Sequence, residues 1–436
     1  MHLMSWSQAK PCKPKGLRGP RPWFWRKYKQ RCDPTWWPSP LPERMHGDLS
    51  TLRPAFDWRH TPAWCVHAPQ VFDGQAFLPD TAVTVRQGRI AAIGPLQAPM
   101  NVGLPVWHTA GTVAPGLFDI QVNGGAGRMF NNTPDAPTLR HIGDALARAG
   151  TTAWLPTFIT DTPERMALAA QAIQAVYGRH GVVGVHFEGP HISVQRRGAH
   201  LEQRIHPLSE ATLDLLAGLR AHNIPVLLTL APEMQRPGSI ARLCAMGVVV
   251  SLGHTAATSA QVNAALAEGA TCFTHLFNGM TPMGSREPGV VGAALDSTAW
   301  CGVIADGHHV ADAVLRIAIR ARPRADRTVL VSDAMATTHG PSEFSLYGET
   351  IRVVDGKLVN QAGSLAGAHI DLATSVHRLI GQVGIEPEQA LRMATHNPAE
   401  LMGLTDTVGH LRLGMPANLV LFDPQWHLLA SMDSSE

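Results

Sequence analysis

The 436-residue chain has no run of about 18 consecutive apolar residues, the length that a membrane-spanning helix requires. Its six cysteines show neither a paired arrangement nor the CxxC spacing of a structural zinc site, so we expect no disulfide framework. No GxGxxG motif follows an early strand, which leaves a dinucleotide-binding fold without support. We therefore expect a protein of a reducing compartment, the cytoplasm, with no membrane partner.

Charged residues are also scarce, at 16% of the chain against 45% hydrophobic residues. A chain of this composition can bury a large core, which excludes a disordered or fibrous protein. The net charge of +2 is unevenly distributed, because residues 1–60 hold 12 Lys and Arg against 4 Asp and Glu. The rest of the chain is therefore mildly acidic, and we expect no nucleic-acid partner.

Residues 1–60 hold six of the eleven tryptophans and nine of the 33 prolines. They show neither the helical nor the strand period of a packed face, and they lack the apolar segment of a signal peptide. We interpret them as a poorly ordered basic extension. The alternative is an arm whose interleaved Arg and Trp stack on single-stranded nucleic acid.

Short β segments stand on both sides of the long middle of the chain. Residues 82–94 predict two strands joined by a turn at Gln87 and Gly88, and residues 419–422 form an apolar run after a turn at Gly414 and Pro416. We predict a small β-sandwich domain built from residues 61–113 together with residues 400–430.

The middle of the chain, residues 114–399, alternates strand-like and helical patterns. Eight strands that alternate with helices predict an α/β protein with a (β/α)8 TIM barrel better than an open sheet. The predicted strands are 117–122, 152–156, 182–187, 225–230, 248–252, 271–273, 301–305 and 328–331.

Chemistry in such a barrel lies where the strands end at their carboxyl face. Glu188, His254 and His275 each follow a different strand in this way, and each is a competent ligand for Zn²⁺. One carboxylate with two imidazoles leaves an open coordination position, as catalytic zinc sites do. Asp333 follows the last strand and could carry a proton, although capping of a following helix would also explain it.

Seven motifs in the same order resemble the N-acetylglucosamine-6-phosphate deacetylases of the amidohydrolase superfamily, and the resemblance runs from about residue 66 to residue 424. The motifs are PGLFDIQVNG (115–124), HFEGPH (186–191), VSLGH (250–254), THLFNGM (274–280), GSREPG (284–289), ADGHHV (305–310) and LVSDA (330–334). Gln121 and Asn123 stand where many relatives of the superfamily have two histidines. Because amides are poor transition-metal ligands beside imidazole, one metal ion per subunit is expected.

The resemblance implies roles for individual residues. Glu188, His254 and His275 match the metal ligands, with zinc the expected ion and iron, cobalt or manganese the alternatives. Asp333 matches the catalytic acid and base, and His200 matches a catalytic histidine that holds the acetamide and its oxyanion. The other matches are substrate-binding positions: Ala199, Asn278, Gly279, Arg286, Asp306, His309, Leu365, Ala366 and Gly367.

The implied activity is hydrolysis of N-acetyl-D-glucosamine 6-phosphate to D-glucosamine 6-phosphate and acetate, in amino-sugar catabolism or cell-wall sugar recycling. Arg286 matches a phosphate-binding arginine that reaches across from a neighbouring subunit, so a homodimer is expected. Two enzymatic alternatives are deacetylation of the galactosamine epimer and another amidohydrolase reaction. A catalytically dead barrel with a scaffold role would predict loss of Asp333 or of a ligand, and none is lost.

Overall fold

The computed structural model describes residues 56–433, and all but the last five residues of the predicted basic extension lie outside this range. Within those five, the rings of Phe56 and Trp58 lie 6.1 and 6.3 Å from the ring of Trp64. No helix among the described residues has the length and apolar character needed to cross a bilayer. The described cysteines are free thiols: Cys65, Cys244, Cys272 and Cys301.

The strands are numbered in chain order. They are β1 (Ala63–Phe72), β2 (Phe77–Arg86), β3 (Arg89–Gly94), β4 (Val106–His108), β5 (Thr112–Pro115), β6 (Leu117–Val122), β7 (Gly124–Gly125), β8 (Arg128–Met129), β9 (Thr151–Ile159), β10 (Val185–Glu188), β11 (Val226–Leu230), β12 (Val249–Leu252), β13 (Cys272–Phe273), β14 (Trp300–Val303), β15 (Thr328–Leu330), β16 (Glu343–Leu346), β17 (Glu349–Val354), β18 (Lys357–Val359), β19 (Leu419–Phe422) and β20 (Leu428–Met432).

The α-helices are α1 (Ala136–Arg148), α2 (Pro163–Val176), α3 (Glu210–Ala221), α4 (Ser239–Ala245), α5 (Ser259–Ala267), α6 (Gly289–Asp296), α7 (Asp312–Ala321), α8 (Leu372–Arg378), α9 (Pro387–Ala394) and α10 (His396–Met402). Several begin at a side chain that accepts a hydrogen bond from a backbone N–H of the first turn, which satisfies a donor that the helix itself leaves free. These capping residues are Asp135, Thr162, Ser209, Thr258 and Asp371.

The predicted (β/α)8 barrel is confirmed. Eight parallel strands pair in the order β6, β9, β10, β11, β12, β13, β14 and β15. Their registers align the carboxyl ends, since Glu188 pairs with Thr229 and Leu252 pairs with Phe273. The side chains that follow these strands therefore share one face of the barrel.

The barrel closes between β6 and β15 without a regular strand ladder. Asp333 N donates to Gln121 O at 3.0 Å, beyond the end of β15. Asp119 lies in β6, two residues before Gln121. Its carboxylate accepts from Ser332 N at 3.2 Å and from Gln121 N at 3.0 Å. Burial raises the pKa of Asp119 to about 7, although these donors favour its charged form. A side chain thus supplements the few backbone hydrogen bonds at the seam.

Two buried clusters make the barrel core. The larger one lies between the strands and the surrounding helices, and the smaller one includes Leu155, Leu227 and Val329 together with Met402 of α10. Alternate residues of a strand share one face, so the residues two positions beyond these point the same way. At that level the interior becomes polar, with side chains of His186, Thr229, Thr274 and Ser251 joined by hydrogen bonds of 2.6–2.7 Å.

The small domain contains a seven-stranded sheet with the order β20, β19, β5, β1, β2 and β3, and β4 pairs with β1. Its strands come from both sides of the barrel sequence, because β5 pairs antiparallel with β19. The predicted turn at Gln87 and Gly88 is confirmed, with φ of 50° and 70°. Trp64, Val83 and Leu421 belong to the buried cluster of this domain.

A three-stranded sheet, β16, β17 and β18, lies in the chain after β15 and was not predicted. Its strands are half-exposed and polar on one side, and the sequence pattern over 343–359 is correspondingly weak. Met335, Leu346 and Ile351 pack together beneath it. This sheet therefore covers part of the face on which the barrel strands end.

Candidate active site

Three side chains that can bind a metal converge at the carboxyl ends of β10, β12 and β13. Glu188 is the last residue of β10, and His254 and His275 each lie two residues beyond their strand. His254 Nε2 and His275 Nε2 lie 3.2 and 3.0 Å from Glu188 Oε1, and 3.1 Å from each other. All three residues are buried, so the structure brings the predicted ligands together in one place.

The backbone is left-handed at three of the residues that meet here. The φ angle is 46° at His254, 30° at His275 and 52° at Asp333. Such conformations are unfavourable for residues other than glycine, costing of order 1–3 kcal/mol each, and they concentrate at functional sites. Here they turn the chain at the end of three barrel strands, and the three side chains meet.

The donor set fits a divalent cation. One carboxylate and two imidazoles match a catalytic zinc site, and no other trio of such groups lies close enough within residues 56–433. His254 Nδ1 donates to Arg196 O at 2.7 Å, which leaves the Nε2 lone pair free for a metal. Burial opposes the charge on Glu188, but the two imidazoles outweigh it and hold the pKa of this carboxyl well below its usual range.

Asp333 lies beside the Glu188 carboxylate and is joined to it by an amide. Gln121 Nε2 donates to Asp333 Oδ1 and to Glu188 Oε1, both at 3.2 Å. Asn123 Nδ2 also donates to Asp333 Oδ1, at 2.7 Å. Burial, followed by the charge of Glu188, raises the pKa of Asp333 to about 6. The two amides thus direct N–H groups at carboxylates, and Asp333 Oδ2 makes no hydrogen bond in the described chain.

His200 reaches the same place from the loop after β10. Its ring centroid lies 4.5 Å from that of His254, and its Nδ1 lies 2.7 Å from the hydroxyl of Thr160. Burial and the neighbouring His254 lower the pKa of His200 to about 3. The imidazole is therefore neutral at physiological pH.

These groups open onto a cavity of about 170 Å³. The other predicted residues that line it are Ala199, Asn278, Gly279, His309, Leu365, Ala366 and Gly367. Asp306 does not line the cavity but holds His309, whose Nδ1 lies 2.7 Å from Asp306 Oδ2. Burial disfavours the charge on Asp306, but the bond to His309 outweighs it and lowers the pKa of Asp306 to about 2. Asp306 thus orients a cavity residue.

A family model described as the amidohydrolase family matches residues 112–435, about three quarters of the chain. The chain belongs to the amidohydrolase family. The match spans the barrel and the last strands of the small domain, including each of the residues that meet in the cavity.

The names of individual relatives of this amidohydrolase are more specific than the description of the family. An N-acetylgalactosamine-6-phosphate deacetylase of Shewanella sp. (strain ANA-3) is 40% identical over 326 residues, which cover 74% of this chain and 82% of the relative. An N-acetylglucosamine-6-phosphate deacetylase of Haemophilus influenzae is 32% identical over 362 residues, covering 81% and 94%. The crystal structure of an N-acetylglucosamine-6-phosphate deacetylase from Pasteurella multocida superposes with a TM-score of 0.80 at 32% identity, covering 85% of this chain and 98% of that one.

A second predicted residue, Arg286, also does not line the cavity of this amidohydrolase chain. It lies in the exposed segment 282–288, directly before α6. The neighbouring Glu287 is tied down, because it accepts from Ser259 N at 2.8 Å and from Gly289 N at 3.0 Å. The Arg286 guanidinium itself makes no hydrogen bond or ion pair within the described residues.

Several residues that complete the amidohydrolase site were not predicted from the sequence. Ile159, Gly198 and Met335 line the cavity, and Thr160 contacts His200. Thr160 follows β9 directly, so the rule that identified Glu188 at the end of β10 could have found it. Met335 carried no such signal, because its position depends on how the chain folds back after Asp333.

Proposed function

We propose that this amidohydrolase removes the acetyl group of N-acetyl-D-glucosamine 6-phosphate and releases D-glucosamine 6-phosphate and acetate. The observation that carries the proposal is the convergence of Glu188, His254, His275 and Asp333 on one small cavity. The relative from Haemophilus influenzae and the structure from Pasteurella multocida, both 32% identical and named for this substrate, support it. The cytoplasm stays the predicted compartment.

We propose that Glu188, His254 and His275 hold one divalent cation, zinc in the first place and iron, cobalt or manganese as alternatives. Such a cation, when bound, lowers the pKa of a water and polarises a carbonyl oxygen. The buried position of the three ligands excludes bulk water and strengthens electrostatic interactions with the reacting acetamide.

Asp333 is the proposed proton carrier, and its Oδ2 is the oxygen that carries the proton. Oδ1 already accepts hydrogen bonds from Gln121 and Asn123, whereas Oδ2 is free. Asp333 takes a proton from the water that attacks the acetyl carbon. It then returns that proton to the amide nitrogen as the C–N bond breaks, so that acetate and the free amine leave.

The proposed orientation places the acetamide at the metal ligands and the sugar towards Leu365, Ala366 and Gly367. His200 faces the acetamide oxygen. His309, which Asp306 holds by a 2.7 Å contact, faces the sugar and its phosphate. Binding of the distant phosphate would then fix the amide relative to Asp333, which converts binding energy into orientation.

Arg286 is the proposed phosphate ligand of a second copy of the chain. Its side chain is exposed, is free of intramolecular partners within the described residues and lies outside the cavity. A guanidinium offers two parallel N–H donors to phosphate oxygens. A homodimer in which each chain contributes Arg286 to its neighbour would complete the site.

Deacetylation of N-acetylgalactosamine 6-phosphate is the second candidate function. The relative from Shewanella sp. that is named for this substrate is 40% identical, against 32% for the relative from Haemophilus influenzae that is named for the glucosamine epimer. The two sugars differ in the orientation of one hydroxyl, so both fit the same reacting residues.

The test is an assay of acetate release by zinc-loaded enzyme, with the two epimeric phosphates and unphosphorylated N-acetylglucosamine in parallel. We expect kcat/KM to be highest for the glucosamine phosphate and much lower for the unphosphorylated sugar. Treatment with a chelator should abolish turnover, and added zinc should restore it. A higher kcat/KM for the galactosamine phosphate would favour the second candidate, and no acetate from any of the three would overturn the proposal.

A further inference from the structure

A buried threonine hydroxyl contacts the histidine that faces the cavity. Thr160 follows β9, and its Oγ1 lies 2.7 Å from His200 Nδ1. Both residues are almost fully buried, Thr160 at 0% and His200 at 6% exposure. His200 Nε2, the other ring nitrogen, makes no hydrogen bond within the described chain, and the ring lines the cavity.

The direction of this hydrogen bond follows from the partners that are available. A hydroxyl carries one hydrogen, and a buried hydroxyl is rarely left without an acceptor for it. In the described range, His200 Nδ1 is the sole hydrogen-bonding partner of Thr160 Oγ1. If Nδ1 carried the ring hydrogen, the threonine hydrogen would have no acceptor. Thr160 therefore donates to Nδ1.

We propose that Thr160 is a positioning residue that holds His200 in the tautomer with its hydrogen on Nε2. His200 then faces the cavity as a hydrogen-bond donor rather than as an acceptor. The tautomer follows from the contacts alone, whereas its use rests on the proposed function, in which an oxyanion develops on the acetamide oxygen. A bare Nε2 at that place would repel the oxyanion instead of stabilising it.

The backbone around Thr160 is fixed by contacts with Asn131 and with the sheet of β16, β17 and β18. The Tyr347 hydroxyl, in the turn between β16 and β17, donates to Thr160 O at 2.7 Å. Asn131 Nδ2 donates to that hydroxyl at 3.1 Å and to Ile159 O at 2.9 Å, and Asn131 Oδ1 accepts from Ile159 N at 2.9 Å. These bonds hold the end of β9, so the Thr160 hydroxyl has a defined direction towards His200.

The first test compares Thr160→Val with Thr160→Ser in the zinc-loaded enzyme. Valine keeps the shape and removes the donor, so kcat should fall about tenfold while KM changes less than about twofold. Serine keeps the hydroxyl and should restore kcat to within about twofold of the wild type. Equal kcat in all three proteins, or a valine effect that serine does not reverse, would overturn the proposal.

Thr157→Val is the control. Thr157 lies in β9, three residues before Thr160, and its buried hydroxyl also contacts a histidine. Thr157 Oγ1 lies 3.1 Å from His186 Nδ1, and His186 does not line the cavity. Thr157 Oγ1 also accepts from Val122 N at 3.0 Å, so we expect Thr157→Val to lower thermal stability at least as much as Thr160→Val and to change kcat less than about threefold. A loss of kcat in the control that matches Thr160→Val would show that Thr160 acts only through packing.

The second test reads the tautomer without any turnover. Ring ¹⁵N shifts of histidine separate a protonated nitrogen from a bare one, and the His200 signals are those missing from His200→Gln. We expect hydrogen on Nε2 in the wild type and in Thr160→Ser, and a mixture of tautomers in Thr160→Val. Hydrogen on Nδ1 in the wild type would refute the inference. Absence of deacetylation with hydrogen on Nε2 would refute the proposed function alone.

Discussion

The acetamide end and the phosphate end of the proposed site differ in how firmly the rest of the chain holds their residues. At the acetamide end, Glu188, Asp333 and His200 are buried and are bonded to other residues of the same chain. At the phosphate end, Arg286 is exposed and unpartnered within the described residues. The barrel strands preorganise the reacting groups, whereas the phosphate recognition proposed for Arg286 would depend on an exposed loop that meets a second copy of the chain.

The largest expected effect is at the acetamide end. Asp333→Asn keeps an acceptor for Gln121 and Asn123 but cannot take up a proton, so kcat should fall by about 10²–10⁴. Bound zinc, measured by elemental analysis, and KM should stay close to the wild-type values. Wild-type kcat in Asp333→Asn would show that Asp333 is not the proton carrier. The comparison between the two ends of the site would then lose its basis.

The next effect is at the phosphate end. Arg286→Gln should lower kcat/KM for the phosphorylated sugar about 10–100-fold through KM, because a charge-assisted hydrogen bond to phosphate is lost. It should leave the unphosphorylated sugar unaffected. Arg324→Gln, which removes another exposed arginine, is the control and should behave as the wild type.

A mixture of Arg286→Gln and Asp333→Asn subunits sharpens this comparison. If Arg286 serves the neighbouring site, a hybrid dimer contains one site with both groups intact, and activity should reappear when the two variants are unfolded and refolded together. A mixture no more active on the phosphorylated sugar than the sum of its components would show that each chain uses its own Arg286.

A smaller effect is expected at the seam that supports the acetamide end. Asp119→Leu leaves Ser332 N and Gln121 N without the carboxylate that accepts from both, and should lower the free energy of unfolding by about 1–3 kcal/mol. Asp119→Asn keeps one acceptor oxygen, so its free energy of unfolding should lie between those of the wild type and Asp119→Leu. Denaturant unfolding provides the measurement, and a leucine variant as stable as the wild type would mean that the seam does not need this side chain.

The smallest effect concerns the segment that leads away from Asp333. His339 Nε2 lies 3.0 Å from Asp371 Oδ2, and this bond raises the pKa of His339 and, against burial, lowers the pKa of Asp371. The pair should be fully stabilising between the ordinary values of 3.8 and 6.5. Its contribution should be lost as pH rises through the raised pKa of His339, and also as pH falls through the lowered pKa of Asp371.

The corresponding measurement is the Tm difference between the wild type and His339→Gln across pH. It should be largest near pH 5 and shrink towards pH 9, with a free-energy difference below about 1 kcal/mol, because His339 is partly exposed and solvent screens the pair. A Tm difference that is the same at pH 5 and pH 9 would assign it to packing rather than to charge.

Much of the barrel could be predicted because its strands are short apolar runs between turns. The predicted strand 117–122 coincides with β6, and 225–230 differs from β11 by one residue. The sheet of β16, β17 and β18 escaped prediction because half of each strand faces outward and is polar. Its importance for the site, through Tyr347, appears only once the chain has folded back.

The acetamide end was predictable for a related reason. Parallel strands end on one face, so Glu188, His254 and His275 could be expected to meet before any distance was known. The proposed tautomer of His200 could not be predicted from the sequence, because it depends on a contact with Thr160, forty residues away in the chain. The contribution of Arg286 to a neighbouring subunit stays a prediction from the family resemblance, since one chain contains no information about the arrangement of two.

The pairing of β5 with β19 has a consequence for how this protein is made. These strands lie about 300 residues apart, so during synthesis on the ribosome β1 to β5 emerge long before the strand that pairs with β5. In the meantime β5 presents unpaired N–H and C=O groups to other chains. Production at high concentration or from a gene truncated before β19 should therefore fail through aggregation, even though every barrel strand has been translated.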